Sequence, residues 1–401
     1  MNSLATSLAS RDTAQSDSIT AGLAARYVEP EPGSRLVRTF EGMRSVLRSG
    51  IMRQNGASNS PTEKVDPALA SIFFLHGEEH RKRRGAIISF FTPKAIATRH
   101  MPVIDATADK LITDFRKTGR ARLDQMSFLL ASTVVAEIVG LTETPLLPMM
   151  RRIEGANGTP DVWRGGIRKL LAPVKSRIYA MAFLFRDVKP TIAARRKERR
   201  EDVISKLLDE GRSDLEVLVE CMTFGLAGMG TTREFIVVAA LHLFEKEALR
   251  MRFLDGSDAD KMEILKEILR LEPQASMIYR TATGPAEDML SAPIQSGERL
   301  SLEIRAANLD PEAVGPDPTR INPDRAQTMK NNGAWMSFGD GAHFCPGWQV
   351  ALIETRILLD RLFRVPGLRL TRYPNMEWTP PMLQSYQFVN AVIECDMLSD
   401  T

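Results

Sequence analysis

The sequence predicts a mostly α-helical protein with small β-sheets. Apolar residues recur at helical spacing through most of the chain, whereas strand-like alternation is confined to short pieces. The section from Asp310 to Ala334 carries four prolines and is predicted to be irregular coil, because proline removes a backbone donor and restricts the residue before it. No internal repeat divides the chain. We therefore expect a flexible segment at residues 1–25 and one domain at residues 26–401.

Helices are predicted where the helical periodicity persists for about ten residues or more. The predicted helices are His80–Phe90, Met101–Lys117, Ser127–Val139, Ala172–Arg199, Leu215–Glu245, Asp258–Leu271 and Pro346–Phe363. The predicted strands are Leu36–Thr39, Met277–Thr283, Leu300–Ile304 and Phe388–Cys395.

The composition excludes several classes of protein. Hydrophobic residues make up 43% and charged residues 26%, which is ordinary for a globular chain, and the net charge of +3 does not indicate a nucleic-acid binder. The segment Met1–Thr20 is polar and has neither the apolar core of a signal peptide nor the length of a membrane anchor. Three cysteines do not form a disulfide framework. We expect a cytoplasmic protein.

One cysteine lies in an unusual loop. Cys345 is surrounded by Gly339, Gly341 and Gly347, and glycines this dense allow a flat ligand to approach the backbone closely. Pro346 suits the first position of the following helix, so Cys345 is predicted near a helix N-terminus, where a thiolate is stabilised. The residues alone leave two alternatives open, a buried thiol in a glycine-rich turn and a zinc site, although no other cysteine or histidine pair lies at metal spacing.

The segment from Phe338 to Gly347 resembles the heme-ligand loop of the cytochrome P-450 family, Phe-Gly-x-Gly-x-His-x-Cys-x-Gly, at every fixed position. The resemblance implies the helical prism of that family with small β-sheets. It also implies heme b (iron protoporphyrin IX) as cofactor, with Cys345 as the iron ligand. Phe338, His343 and Gly347 would contact the heme.

Motifs elsewhere in the chain extend the resemblance. Glu267 and Arg270 match the family's Glu-x-x-Arg pair, and Arg325 resembles the third member of that structural triad. His80 and Arg84, four residues apart, resemble the helix that binds a heme propionate. Arg280 resembles an arginine that reaches a propionate from a short strand, and His343 is expected to do likewise, since buried carboxylates need donors.

The helix Leu215–Glu245 contains Ala-Gly-Met-Gly-Thr-Thr, and two glycines inside a helix cost about 1 kcal/mol each relative to alanine. This run resembles the family's oxygen-binding groove, which makes Ala227 a heme contact and Thr231 a catalytic residue that hydrogen-bonds the distal oxygen. Gly230 stands where the family usually has an acid. Glu234, three residues after Thr231, is a candidate to replace that acid in proton delivery.

The resemblance implies a monooxygenase that uses dioxygen and receives electrons from a separate ferredoxin-type donor, docked on a basic face at Arg81, Lys82, Arg356, Arg361 and Arg364. Two alternatives stay open, a peroxide-using heme-thiolate enzyme and a heme-thiolate protein that binds a ligand without turnover. The substrate is expected to be small and lipophilic. The predicted substrate pocket comprises residues around Ser58–Leu69 and Gln384–Phe388, together with Phe224, Met229, Thr232, Ser276, Met277, Ile278 and Phe388.

Overall fold

The computed structural model describes residues 16–56, 70–156, 166–331, 333, 335–378 and 384–397. Helices dominate these residues, and the predicted class, mostly α with small sheets, is confirmed. The α-helices are Ala21–Tyr27, Phe40–Arg48, Gly77–Ile88, Pro93–Ala95, Met101–Thr118, Leu123–Val139, Leu146–Ala156, Gly166–Phe183, Lys189–Lys197, Val203–Asp209, Asp214–Phe224, Thr231–Glu245, Glu247–Asp255, Asp258–Leu271, Ile304–Asn308, Pro311–Val314, Arg325–Thr328 and Trp348–Leu362. Short 3₁₀ turns lie at Ile72–Phe74, Ser89–Phe91 and Gly341–His343, and π-helical turns at Ile96–His100, Leu184–Val188 and Gly225–Gly230.

The strands form three small sheets. They are β1 (Arg35–Val37), β2 (Met52–Asn55), β3 (Arg120–Arg122), β4 (Met277–Ala282), β5 (Arg299–Glu303), β6 (Arg369–Arg372), β7 (Asn375–Trp378), β8 (Tyr386–Val389) and β9 (Val392–Glu394). The largest sheet has the order β1-β5-β4-β2, with β1 parallel to β5 and the other pairs antiparallel. The strand predicted at Phe388–Cys395 is divided into β8 and β9, since Asn390 adopts a φ of 65° between them.

The central helix, as we call the continuous run Asp214–Glu245, passes through the main core. Its second half, from Phe235 to Leu243, is almost completely buried. Among the described residues this is the one helix long and apolar enough to cross a membrane, and 61% of its apolar window is buried inside the protein. A second, smaller core lies between the helix Phe40–Arg48 and the four-stranded sheet.

Three sequence predictions are wrong in detail. Residues 16–25 are not loose, because Thr20 is buried and donates to Glu272, and a helix starts at Ala21. The proline-rich section, predicted to be irregular coil, contains the helix Pro311–Val314. Proline is tolerated at the first helical position because the N–H that it lacks would have no helical partner there. The helix predicted from Pro346 begins instead at Trp348.

Candidate functional site

A cavity of about 330 Å³ lies between the central helix, the helix Gly77–Ile88 and the loop around Cys345. Its walls are mainly apolar. The apolar side chains that line it are Ile72, Phe73, Ile87, Ile88, Phe91, Val135, Ile138, Phe224, Ala227, Phe235, Leu269, Ala275, Ile278, Ile304, Met336, Phe338, Val350 and Ala351. The site therefore suits a ligand with a large apolar surface and a few polar groups.

The loop from Phe338 to Gly347, the cysteine loop, is shaped by two glycines with positive φ. Gly339 has a φ of 72° and Gly341 a φ of 66°, which only glycine adopts without strain. A Cβ at Gly341 would also collide with the carbonyl oxygen of Leu47. The loop is closed by a hydrogen bond of 2.9 Å from the Cys345 N–H to the Phe338 carbonyl. The glycines are therefore required where the loop packs on its neighbours.

Cys345 lines the cavity at the end of this loop. Burial raises the pKa of its thiol, while the backbone N–H groups of Gly347 and Trp348 and the charge of Arg84 oppose the rise. Arg84 also holds the loop directly, donating to the Phe344 carbonyl at 2.6 Å. Donors aimed at this sulfur would stabilise a thiolate bound to a metal ion, which deprotonates the thiol outright.

The cavity edge carries two arginines, the half-buried Arg84 and the buried Arg280. Arg280 is only 3% exposed, and among the described residues it donates to the carbonyl of the adjacent Tyr279, at 2.8 Å. Burial alone lowers its pKa to about 10. Neither Arg280 nor Arg84 is within ion-pair distance of a carboxylate among the described residues. An unpaired buried charge is costly, so this edge fits a ligand with carboxylates, such as the two propionates of heme.

Two histidines complete this edge. The rings of His80 and His343 stack with centroids 4.1 Å apart. Burial lowers the pKa of His343 to about 3, with further contributions from His80 and Arg280, and burial also lowers the pKa of His80. Both rings are neutral at pH 7, so each offers one N–H donor to the cavity. A third side chain of this helix is also buried, because Arg83 pairs with Glu220 at 2.9 Å.

The central helix changes from α to π geometry at Gly225–Gly230, where it borders the cavity. Such turns widen a helix and are frequent at functional sites. Thr231 lines the cavity, and its hydroxyl donates to the carbonyl of Ala227 at 2.5 Å. A Cβ at Gly230 would meet nothing within 4 Å, so the missing acid leaves open space beside Thr231.

Glu234, the candidate replacement for that acid, lies outside the cavity lining. Its carboxylate accepts from Arg233 at 2.5 Å and from the backbone N–H of Phe388 at 2.7 Å. Burial raises its pKa to about 7 against the opposing effects of these two donors. The carboxylate thus connects the central helix to β8 instead of facing the ligand space.

A carboxylate that the sequence reasoning missed does line the cavity. Glu354 is 2% exposed, and its Oε2 atom has no hydrogen-bond partner. Burial raises the pKa of its carboxyl well above the ordinary value, which favours the protonated form. Helical spacing could have indicated that Glu354 faces inward. It lies four residues after Val350 and four before Leu358, so the three share one helix face, and Val350 and Leu358 are buried.

The predicted substrate pocket is placed in part at the cavity. Phe224, Thr232 and Ile278 line it. Met229, Ser276, Met277 and Phe388 are buried in packing outside its lining, which corrects their assignment. The alternating strand geometry explains Met277, because Ile278 on the same strand takes the cavity side. All of Ser58–Leu69, and residues 379–383 beside Gln384, lie outside the described residues.

The three residues predicted as a structural triad are buried together. Glu267 accepts from Arg270 at 2.8 and 2.9 Å and from Arg325 at 2.9 Å. Each arginine also donates to carbonyls of the proline-rich section, including that of Arg320. The triad thereby fixes the coil that leads to the cysteine loop.

Three of the five residues of the predicted basic face are already in ion pairs. Arg356 pairs with Asp258 at 2.5 Å, Arg361 with Asp105 at 2.6 Å and Arg364 with Asp360 at 3.0 Å. Arg81 and Lys82 are exposed on the helix Gly77–Ile88.

Comparisons with known proteins agree with this geometry. The family described as Cytochrome P450 matches residues 260–366. The chain is 28% identical to the biotin biosynthesis cytochrome P450 of Bacillus subtilis over 77% of its own length and 75% of that protein. It is also 28% identical to the erythromycin C-12 hydroxylase of Saccharopolyspora erythraea over 78% of each chain. A crystal structure of P450BioI with an acyl carrier protein ligated to hexadec-9Z-enoic acid superimposes with a TM-score of 0.74 at 22% identity, covering 90% of this chain and 92% of that one.

Proposed function

Since the chain belongs to the cytochrome P450 family, we propose that it is a monooxygenase that binds heme b through Cys345 and oxidises a small lipophilic molecule with dioxygen. One observation carries the proposal. Cys345 lines an apolar cavity whose edge holds the half-buried Arg84 and the buried Arg280, neither with a carboxylate partner among the described residues. A thiolate iron ligand and donors for two propionates are what this cofactor needs from a protein.

The cofactor would supply the activation of dioxygen, with electron density from the thiolate favouring O–O cleavage. The protein's part is binding and orientation. Arg84, Arg280, His80 and His343 line the cavity and would hold the propionates, and the N–H groups of Gly347 and Trp348 would tune the Cys345 sulfur. Phe338, Ala227 and Gly347 line the cavity where the flat ring would pack.

Thr231 orients the reacting oxygen or a water beside it. Its hydroxyl, now bonded to the Ala227 carbonyl, can rotate toward the cavity it lines. The open space at Gly230 has room for a water molecule in the place of an acid side chain. Aromatic and aliphatic side chains make up most of the remaining lining.

Glu354 is the proton carrier we assign to this chain in place of Glu234. Burial favours the protonated form of Glu354, this residue lines the cavity, and its Oε2 atom lacks a hydrogen-bond partner among the described residues, whereas both donors to Glu234 hold that carboxylate outside the lining. A general acid must reach the reacting group directly or through one water. Of the two carboxyl groups, Glu354 lines the cavity and Glu234 does not.

The surfaces support a proposal for the class of substrate and for the electron donor. A mostly apolar lining favours a lipophilic substrate, in keeping with relatives named for erythromycin and biotin biosynthesis. A cytoplasmic ferredoxin-type protein would supply electrons. Its acidic surface would dock at Arg81 and Lys82, because the other predicted arginines are already ion-paired.

The test is the spectrum and turnover of the purified protein. The ferrous–CO complex should show the thiolate signature, and Cys345→Ser should abolish it. Substrates are found by screening lipophilic compounds for the spectral shift of water displacement. Product should then form with a ferredoxin and its reductase. Product with added peroxide alone would establish the peroxide-using alternative, and absence of product with either would establish a ligand-binding protein.

A further inference from the structure

The helical run Gly166–Lys197, the surface helix, has a second apolar face beyond the one it buries. Phe183, Val188 and Ile192 face the core and are at most 1% exposed. On the outside, four apolar side chains are 45 to 63% exposed, namely Val174, Ile178, Met181 and Phe185. Their spacing of four, three and four residues aligns them in one stripe along the helix. Packing against the described residues does not account for this apolar stripe.

The exposed charges that the surface helix itself carries beside the stripe are all of one sign. Arg177, Arg186 and Lys189 are exposed next to it, and the Lys189 ammonium lies 4.6 Å from the ring centre of Phe185. Asp187 is the single acidic residue of the surface helix, and it is fully buried against Arg152. Whatever covers the stripe must therefore be apolar and negatively charged together.

A second copy of the chain does not fit this requirement. Two stripes facing each other would bring Arg177, Arg186 and Lys189 of one copy against the same cations of the other, and like charges repel. A specific protein partner fits less well than a lipid surface. The four side chains expose a few hundred Å², the scale of a functional patch, and a standard protein interface covers about 800 Å² per partner.

We propose that the stripe Val174–Phe185 seats the protein reversibly on a bilayer that contains anionic lipid. The apolar side chains enter the boundary between headgroups and acyl chains, as in amphipathic helices that lie in the interface. The cations remain at the headgroups, where basic side chains are attracted to negative lipids. Long basic side chains reach outward from an apolar surface in this way.

The experiment measures sedimentation of the heme-loaded protein with vesicles of phosphatidylcholine alone and of phosphatidylcholine with phosphatidylglycerol. Binding should be at least about fivefold stronger to the anionic vesicles and should weaken with salt. The double substitution I178S/F185S should reduce binding about tenfold or more, because two apolar side chains no longer enter the bilayer. The control M251S removes an equally exposed apolar side chain elsewhere, at 47% exposure, and should bind like the wild type.

The charge-reversal pair R186E/K189E separates lipid from other occupants. It should abolish the preference for anionic vesicles while the ferrous–CO spectrum and melting temperature stay unchanged. Equal binding to both vesicle types, or no binding to either, would overturn the proposal. A concentration-dependent dimer that I178S/F185S disrupts would also overturn the proposal, because it would assign the stripe to a second copy of the chain. If the variants lost reduction by ferredoxin and the protein did not bind vesicles, the stripe would be assigned to a protein partner.

Discussion

The Glu234 carboxylate accepts a hydrogen bond of 2.7 Å from the backbone N–H of Phe388, which joins the central helix to strand β8. Arg233 donates to the same carboxylate. The residue that sequence spacing favoured as a proton donor is thus held in a contact between two elements. The carboxyl-bearing residue Glu354, by contrast, lines the cavity.

Glu234→Gln should leave the product formed per electron consumed unchanged, because the amide oxygen can still accept from Phe388. Glu234→Ala should lower the free energy of unfolding by about 1–3 kcal/mol, since the Phe388 N–H then lacks an acceptor. Product yield and thermal unfolding measure the two effects. A loss of coupling in Glu234→Gln with normal stability would return the proton-donor role to Glu234.

Glu354→Gln should reduce product per electron and raise peroxide release, by up to about 10²-fold in the product-forming step. The sign of the pH effect follows from burial, which raises the folded pKa above 4.5. Ionisation is then disfavoured in the folded state, so wild-type stability falls as pH rises above 4.5, while the glutamine variant avoids this fall. If only the stability profile changes and coupling is normal, Glu354 is a buried acid without a part in catalysis.

Gly230→Asp should partly restore coupling in the Glu354→Gln background, because a side chain at position 230 meets nothing within 4 Å beside Thr231. Gly228→Asp is the matched control, since its Cβ would lie 2.7 Å from Val135 Cγ2 and the variant should fold poorly. Product per electron and heme content are the readouts. If the Gly230→Asp/Glu354→Gln protein folds and still forms little product per electron, an acid at position 230 does not reach the proton path.

Glu267→Ala should lower the free energy of unfolding by about 3–5 kcal/mol, because Arg270 and Arg325 would be left as buried cations. Glu263→Ala removes a carboxylate from the same helix and breaks a partly exposed pair with Lys266, which should cost about 0–1 kcal/mol. Denaturant unfolding compares the two. Equal stabilities would contradict a structural role for the triad.

Arg280→Met should weaken heme retention about 10- to 150-fold, equivalent to about 1.5–3 kcal/mol for a lost hydrogen bond to a charged group. The heme-free chain should become more stable at neutral pH. The folded pKa of about 10 lies below the ordinary 12.5, so the buried charge is destabilising at any pH below about 10. Arg53→Met, on the adjacent strand and exposed, is the control. The two measurements are heme transfer to an acceptor protein and unfolding of the heme-free chain. A variant that loses heme faster and is also less stable without heme would contradict the propionate role.

Local sequence determined much of this protein. The periodicity of Asp258–Leu271 predicts that helix residue for residue, and the glycines around Cys345 predict the loop, because their φ angles and close contacts depend on a missing side chain. Spacing within one helix likewise brings Glu267 to Arg270. These features depend on neighbours along the chain, which the sequence contains.

Contacts between distant segments were decided by the tertiary structure. Whether Glu234 or Glu354 faces the cavity depends on where β8 and the helix Trp348–Leu362 pack, since both carboxylates lie on mainly apolar helices. Met277 and Ile278 are adjacent in sequence, yet only Ile278 reaches the cavity, because the strand's position fixes which face is inward. The burial and the pairing of a charged side chain depend on how distant segments pack. These two properties decide which charged groups are available to act in a reaction.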